Sequence, residues 1–204
     1  MSTSKNGTFI IAGLLLAATG SIGAALLANR PQEPLPVLAA VPPFVLIDTQ
    51  GQPFSSEDLL GNPYVADLIF THCAAICPRM TQAMDNLEEQ TRSVEGLRFI
   101  SISVDPERDT PEVLNDYAER MGANQERWHF LTGEKPEIWR LASEGLLLPL
   151  LEGKAELGDD EIIHSQYFVL VDGDARIRGV YDMRDAEAML QLRGDVRRLP
   201  TAGS

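Results

Sequence analysis

Beyond residue 43 the chain alternates between short apolar runs and longer segments with helical spacing. Tyr64–Phe70 is an apolar run, interrupted only by Asp67, and such a run is typical of a strand buried on both faces. In Leu97–Val104 apolar and polar residues alternate, and β-branched residues are frequent. The predicted strands are Phe44–Asp48, Tyr64–Phe70, Leu97–Val104, Trp128–Leu131, Tyr167–Val171 and Arg176–Tyr181. The predicted helices are a single turn at Ser55–Leu60, then Pro78–Thr91, Pro111 to Gly122, Pro136–Ser143 and Asp185–Leu199.

Turn and cap residues support these boundaries. The run Asp109-Thr110-Pro111-Glu112 supplies an N-cap, a proline at the first helical position and an early acid, and Gly122 is a stop signal. Asp172-Gly173-Asp174 predicts a hairpin between the last two strands. Strand–helix alternation that ends in one hairpin favours an α/β sandwich with a mixed sheet, of thioredoxin type.

The N-terminal segment predicts a membrane anchor. After a short tail at residues 1–8, Phe9–Ala28 is 20 residues without a charge, and a helix of that length spans about 30 Å, the thickness of a bilayer core. A cleaved signal peptide is the alternative, although Leu26 fits poorly in a small-residue cleavage site before Ala28. Residues 29–43 contain five prolines and predict an extended spacer, which leaves 44–199 as the folded domain and 200–204 as a tail.

Charge and cysteine content exclude several functions. Lys5 and Arg30 are the only charged side chains in the first 30 residues, so the remainder carries 15 basic and 30 acidic side chains. Such an acidic surface repels a phosphate backbone, which excludes nucleic-acid binding. Two cysteines are too few for a disulfide-stapled scaffold or a Cys₄ zinc site.

The candidate chemistry lies where the second predicted strand gives way to a helix. Cys73 and Cys77 lie four residues apart there, and Pro78 suggests that the helix begins at Pro78 with Cys77 as its N-cap. A helix N-terminus stabilises a thiolate, so we expect a lowered pKa for Cys77, with both thiols exposed and close together. A structural disulfide or two buried apolar cysteines remain the alternatives.

Further motifs give this cysteine pair a family context. Residues 71–78 (THCAAICP), 103–111 (SVDPERDTP), 128–133 (WHFLTG) and 164–167 (HSQY) occur in that order. This series resembles the Sco/SenC family of copper-handling assembly proteins for cytochrome oxidase, from Phe44 to Leu199 and including the anchor and spacer. Ala74-Ala75 departs from the family's more usual proline–acid pair, but removes no ligand.

The resemblance implies a thioredoxin fold and a copper ion bound by Cys73, Cys77 and His164. It also implies delivery to the binuclear copper centre in the copper-accepting subunit of a cytochrome c oxidase. The anchor and thiol pair lead us to expect a single-pass protein of the bacterial inner membrane with its soluble domain in the periplasm.

General metal chemistry agrees with copper. Thiolates select Cu(I), and an imidazole lets the same site tolerate Cu(II), whereas a closed zinc site requires four protein ligands. The main alternative is a thiol–disulfide oxidoreductase in which Cys73 and Cys77 are the catalytic redox pair, so enzymatic activity stays open. A peroxiredoxin and a non-catalytic module are the remaining alternatives, and only a copper carrier requires His164.

Two other histidines and two methionines have less direct roles. His72 precedes Cys73 and is interpreted as a neighbour that tunes thiol acidity rather than as a ligand, while His129 is interpreted as structural. Met80 and Met84 follow Cys77 at helical spacing; core packing is favoured over thioether contacts to copper.

Three polar residues follow the predicted strand Leu97–Val104. Asp105 is a candidate acceptor near the site, and a capping role is taken to explain Asp109 and Thr110.

The acidic run Glu152–Glu161 is interpreted as a solvated, flexible loop that would let His164 reach the cysteines.

Overall fold

The computed structural model describes residues 33–72, 76–148, 150–152, 162–163 and 166–201. The folded unit begins at Leu35. No helix within these described ranges is long and apolar enough to cross a membrane. The predicted tail at residues 1–8, the predicted anchor Phe9–Ala28 and most of the C-terminal tail lie outside the described residues.

A six-stranded mixed sheet forms the centre of the domain. The described strands are β1 (Ala39–Ala40), β2 (Val45–Ile47), β3 (Pro53–Ser55), β4 (Tyr64–Ile69), β5 (Arg98–Ser103), β6 (Trp128–Leu131), β7 (Leu151–Glu152), β8 (Ile162–Ile163), β9 (Tyr167–Val171) and β10 (Arg176–Asp182). The order in the main sheet is β1–β10–β9–β4–β5–β6. Neighbours within β4–β5–β6 run parallel and the other neighbours antiparallel, which confirms the predicted α/β class with a mixed sheet.

The helices connect and cover these strands. They are α1 (Ile76–Gln90), α2 (Pro111–Met121), α3 (Lys135–Arg140) and α4 (Ala186–Val196), with a 3₁₀ turn at Ser56–Leu59 and a π-helical turn at Leu141–Gly145. Because α1 follows β4 and α2 follows β5, both helices begin at the carboxyl edge of the parallel strands, where α/β proteins commonly bind their ligands. This edge carries the cysteine motif.

Local sequence explains the limits of α2. The Thr110 side chain accepts a hydrogen bond from the Val113 backbone N–H, and Pro111 occupies the first turn. Gly122 ends the helix with a positive φ of 71°, a conformation that glycine adopts without strain. The predicted start and stop of this helix are therefore confirmed, with Thr110 as the cap.

The strand that leads to the cysteines is buried throughout. Every residue of β4 is buried, as expected for a parallel strand covered on both faces. Asp67, the polar exception, is buried too: its Oδ1 accepts a 2.6 Å hydrogen bond from Ser101 Oγ, which in turn accepts from Trp128 Nε1 at 2.9 Å. Its Oδ2 has no hydrogen-bond partner in the described part of the chain. Burial raises the pKa of Asp67 to about 7, although the Ser101 bond opposes the shift.

The proline-rich segment contributes more structure than its composition predicts. Residues 29–43 were expected to form a spacer, yet Ala39–Ala40 pairs with β10 as an edge strand. Leu35 and Val41 are buried against the domain. Proline is compatible with an edge strand, because one side of such a strand needs no hydrogen-bond donors, so the second half of this segment folds with the domain.

Two small ribbons accompany the main sheet. The predicted first strand is present as β2, which pairs with β3 across the Asp48–Gln52 turn. Leu151–Glu152 and Ile162–Ile163 pair antiparallel as β7 and β8, at the edges of the run interpreted as a loop. Residues 153–161 between them lie outside the described residues.

Candidate metal and thiol site

Cys77 lies inside the first turn of α1, and its side chain is fully buried. This corrects two expectations, that Cys77 is the N-cap with the helix beginning at Pro78, and that its thiol is exposed. Pro78 is compatible with the earlier start because the N–H groups of the first helical turn have no partner within the helix, so proline removes no bond there. Cys77 therefore lies in a buried turn of the helix.

A buried hydroxyl pair secures that turn. Thr81 Oγ1 donates a 3.0 Å hydrogen bond to the Cys77 carbonyl, and the same oxygen lies 2.7 Å from the Tyr117 hydroxyl of α2. Thr81 is buried, and Tyr117 belongs to the core. This chain of contacts connects the cysteine-bearing turn of α1 to the neighbouring helix.

The residues before Cys73 are held by a buried carboxylate. The backbone N–H of Thr71 donates to Asp109 Oδ2 at 3.0 Å, and Thr71 Oγ1 donates to Asp109 Oδ1 at 2.5 Å. Ser103 Oγ, at the end of β5, donates to Oδ2 at 2.5 Å. The capping role assigned to Asp109 is therefore wrong: only Thr110 caps α2, and Asp109 joins the ends of β4 and β5.

A tight turn delivers Asp109 to this position. The backbone N–H groups of Arg108 and Asp109 both donate to the Asp105 carbonyl, at 3.1 and 2.9 Å. The Asp105 backbone N–H donates to Ser103 Oγ at 3.1 Å. The Asp105 carboxylate faces Arg108 at 3.6 Å; desolvation raises its pKa, while Arg108 opposes the shift.

His72 is on the surface directly before Cys73. Its Nδ1 lies 3.2 Å from Thr71 Oγ1 and 3.9 Å from Asp109 Oδ1, and more than half of the side chain is exposed. The ring is therefore associated with the Thr71–Asp109 pair, directly before the cysteine motif in sequence. Its predicted influence on thiol acidity stays a prediction.

The predicted ligands Cys73 and His164 lie outside the described residues, so the structure brings no complete ligand set together. Among the residues that are described, no group of three or more His, Cys, Asp or Glu could hold a metal. Cys73 directly follows the anchored Thr71-His72 pair, and His164 directly follows β8. The Cys73–Cys77–His164 ligand set remains a prediction.

The other sequence candidates have structural roles. Met80 and Met84 are fully buried, which confirms core packing. His129 is half-buried, and its ring centroid lies 5.0 Å from that of Phe54. Burial, and secondarily the charge of Arg98, lowers the pKa of His129.

Sequence reasoning missed Thr71, Ser103, Thr81 and Tyr117 as residues that support the site. A signal for two of them was present, since Thr71 and Ser103 are hydroxyl residues at the ends of adjacent buried strands. Thr81 lies four residues after Cys77, the spacing at which a threonine can bond the carbonyl one turn back.

Comparison with known proteins gives the family context. Residues 33–198 match the SCO1/SenC family model. The chain is 35% identical over 149 residues to the SCO1 protein homolog of Bacillus subtilis, covering 72% of this chain and 76% of that protein. It is also 35% identical over 170 residues to a candidate copper-binding protein of Stutzerimonas stutzeri, covering 81% and 78% of the two chains.

A solved structure agrees in fold. BsSco, described as a Sco-family cytochrome c oxidase assembly protein with a disulfide switch, superposes with a TM-score of 0.71 at 32% identity. The match covers 82% of this chain and 97% of that one.

Proposed function

The chain belongs to the SCO1/SenC family, and from that membership and the cysteine site we propose that it is a copper metallochaperone. It binds copper through Cys73, Cys77 and His164. The observation that carries the proposal is that the Cys-x-x-x-Cys motif begins two residues after Thr71, which bonds to Asp109, and ends at Cys77, whose carbonyl accepts from Thr81 in α1. The copper-binding description of the Stutzerimonas relative supports the choice of metal.

Donor chemistry supports copper as the cargo. Two thiolates favour Cu(I), and one imidazole extends the site to Cu(II). Three protein ligands leave a coordination position for a ligand from the recipient, whereas structural zinc sites are closed by four. A three-ligand site therefore suits transfer better than permanent storage.

The described geometry supports binding at the strand edge. Cys77 lies in the first turn of α1, where the helix dipole favours an anionic sulfur while burial of the side chain opposes it. The β7–β8 ribbon ends at Ile163, immediately before His164. Each of the three proposed ligands therefore lies in, or directly after, a described part of the chain.

The proposed recipient is the copper-accepting subunit of a cytochrome c oxidase, at its binuclear copper site. The assembly role described for BsSco supports this recipient. The apolar segment Phe9–Ala28 supports a membrane tether, with the domain in the periplasm of the bacterial cell. A tethered carrier would meet a membrane-bound oxidase subunit at short range.

A thiol–disulfide oxidoreductase is the second candidate, favoured by the disulfide switch described for BsSco. In this reaction the thiols of Cys73 and Cys77 are oxidised to a disulfide while a disulfide in the partner is reduced to two thiols. Two electrons and two protons leave the pair and arrive at the partner. The two functions use the same cysteines but differ in their need for His164.

An acceptor peptide with the cysteines of an oxidase binuclear site separates these functions. His164→Ala should lose copper transfer to the reduced peptide, because the carrier needs its imidazole, and should still reduce the oxidised peptide. The matched control is His129→Gln, which changes a histidine packed against Phe54 and should leave both reactions intact. Transfer by His164→Ala at the wild-type rate would replace the carrier proposal with the reductase.

A further inference from the structure

Resting on the proposed copper and thiol site, we propose that Asp109 is a positioning residue that holds the chain before Cys73 in the conformation needed to bring the two sulfurs together. Asp109 lies 32 residues after Cys77 in sequence, and its hydrogen bonds go to Thr71 and Ser103. It acts through Thr71.

The contacts of Asp109 are those of a dedicated acceptor. Its carboxylate is fully buried and accepts three hydrogen bonds, two from Thr71 and one from Ser103. Two of these bonds come from Thr71, two residues before Cys73 in sequence, and the third comes from Ser103 at the end of β5. Because one oxygen of Asp109 accepts from the Thr71 backbone N–H and the other from the Thr71 hydroxyl, the carboxyl group fixes both the backbone and the side chain of Thr71.

Anchors flank the cysteine motif. On its C-terminal side, Thr81 and Tyr117 secure the carbonyl of Cys77. On its N-terminal side, Asp109 secures Thr71, two residues before Cys73. Without the second anchor, Cys73 would sample more positions relative to Cys77, and the entropy lost on joining the two sulfurs would rise.

Loss of the Asp109 anchor affects both reactions of the Cys73–Cys77 pair. Copper binding and disulfide formation both require the sulfurs to be held together, so removing the Asp109 anchor weakens both. A defect in general stability would instead leave the folded protein with its normal sulfur chemistry. That difference separates a positioning role from a merely structural one.

The test uses the reduced full-length chain with Asp109→Ala, Asp109→Asn and Thr71→Val. The matched control is Asp195→Ala. Asp195 is a buried carboxylate that accepts from Tyr181 and Arg198. Arg193, two residues before Asp195 on α4, donates to Gln90 of α1, which is 13 residues and thus about 20 Å along the helix from Cys77.

Three quantities are measured on folded protein: the equilibrium constant for Cys73–Cys77 disulfide formation against a reference dithiol, the Cu(I) affinity, and the exchange rate of the Thr71 amide proton. Asp109→Ala should lower the first two at least fivefold and raise the third at least tenfold. Asp109→Asn and Thr71→Val, which keep part of the contact, should each lower the first two by at least twofold. Asp195→Ala should leave all three within twofold of wild type.

Two results would overturn the positioning role. One is a folded Asp109→Ala variant whose disulfide constant matches that of the wild type. If Asp109→Ala does not fold, the same result in folded Thr71→Val is decisive. The other is an equal shift in Asp195→Ala, which would show that loss of stability alone is responsible. The disulfide constant needs no copper, so a wild-type chain that binds no copper would contradict the proposed function while this constant still decides the role of Asp109.

Discussion

Replacing Asp67 with asparagine should remove a pH dependence of stability that the buried carboxyl creates. Asp67 is completely buried in β4, receives one hydrogen bond from Ser101, and has a pKa raised by burial to about 7. A carboxyl with a raised pKa in the folded state binds its proton more tightly there than in the unfolded chain. Its contribution to the free energy of unfolding is therefore complete below the unfolded pKa near 4 and disappears as the pH rises through about 7.

The size of the effect follows from the two pKa values. With about 7 in the folded chain and about 3.9 in the unfolded chain, linkage gives a loss of about 2.5 kcal/mol in the free energy of unfolding between pH 5 and pH 8. Asp67→Asn has no proton to exchange at this position. The free energy of unfolding of the wild type, relative to that of Asp67→Asn, should therefore fall by about 2.5 kcal/mol between pH 5 and pH 8.

Urea unfolding of the reduced protein at pH 5, 6, 7 and 8 measures this difference. The control is Asp116→Asn, an exposed aspartate on α2, whose stability should run parallel to wild type over the whole range. A wild-type-minus-Asp67→Asn difference that stays constant from pH 5 to pH 8 would refute the raised pKa and the interpretation of Asp67 as a neutral buried acid.

Two further predictions concern the core and the topology. Met84→Ala should lower the free energy of unfolding by about 2–5 kcal/mol because it leaves a cavity in a buried layer, and it should leave the copper affinity of the folded protein unchanged; a weakened affinity in folded protein would contradict core packing. A reporter that is active only after export, fused after Leu199, should be active in cells, and activity of a cytoplasm-only reporter at the same position would contradict the proposed periplasmic domain.

The elements that the sequence predicts well are those with strong local signals. Thr110, Pro111 and Gly122 define α2 because caps act through bonds between near neighbours. The continuous apolar run of β4 reflects its cover on both faces. The Asp172-Gly173-Asp174 hairpin forms because Asp172 accepts the backbone N–H groups of Asp174 and Arg176.

The site was harder to predict because its support comes from distant residues. Asp109 carries a cap-like sequence context, and only the meeting of β4 and β5 shows that it binds Thr71 instead. Cys77 was expected at the surface because its burial depends on how α1 packs on the sheet. Ala39–Ala40 has no strand signal of its own and pairs only because β10 offers an edge.

The copper content of the reduced full-length chain tests the central claim most directly. Wild type should bind one Cu(I) per chain, with both thiols protected from alkylation, because the thiolates are the ligands. Cys73→Ser and Cys77→Ser should each abolish Cu(I) binding in folded protein, and His164→Ala should weaken Cu(II) binding more than Cu(I) binding. Equal copper loading of wild type and all three variants would contradict the account and place the metal elsewhere.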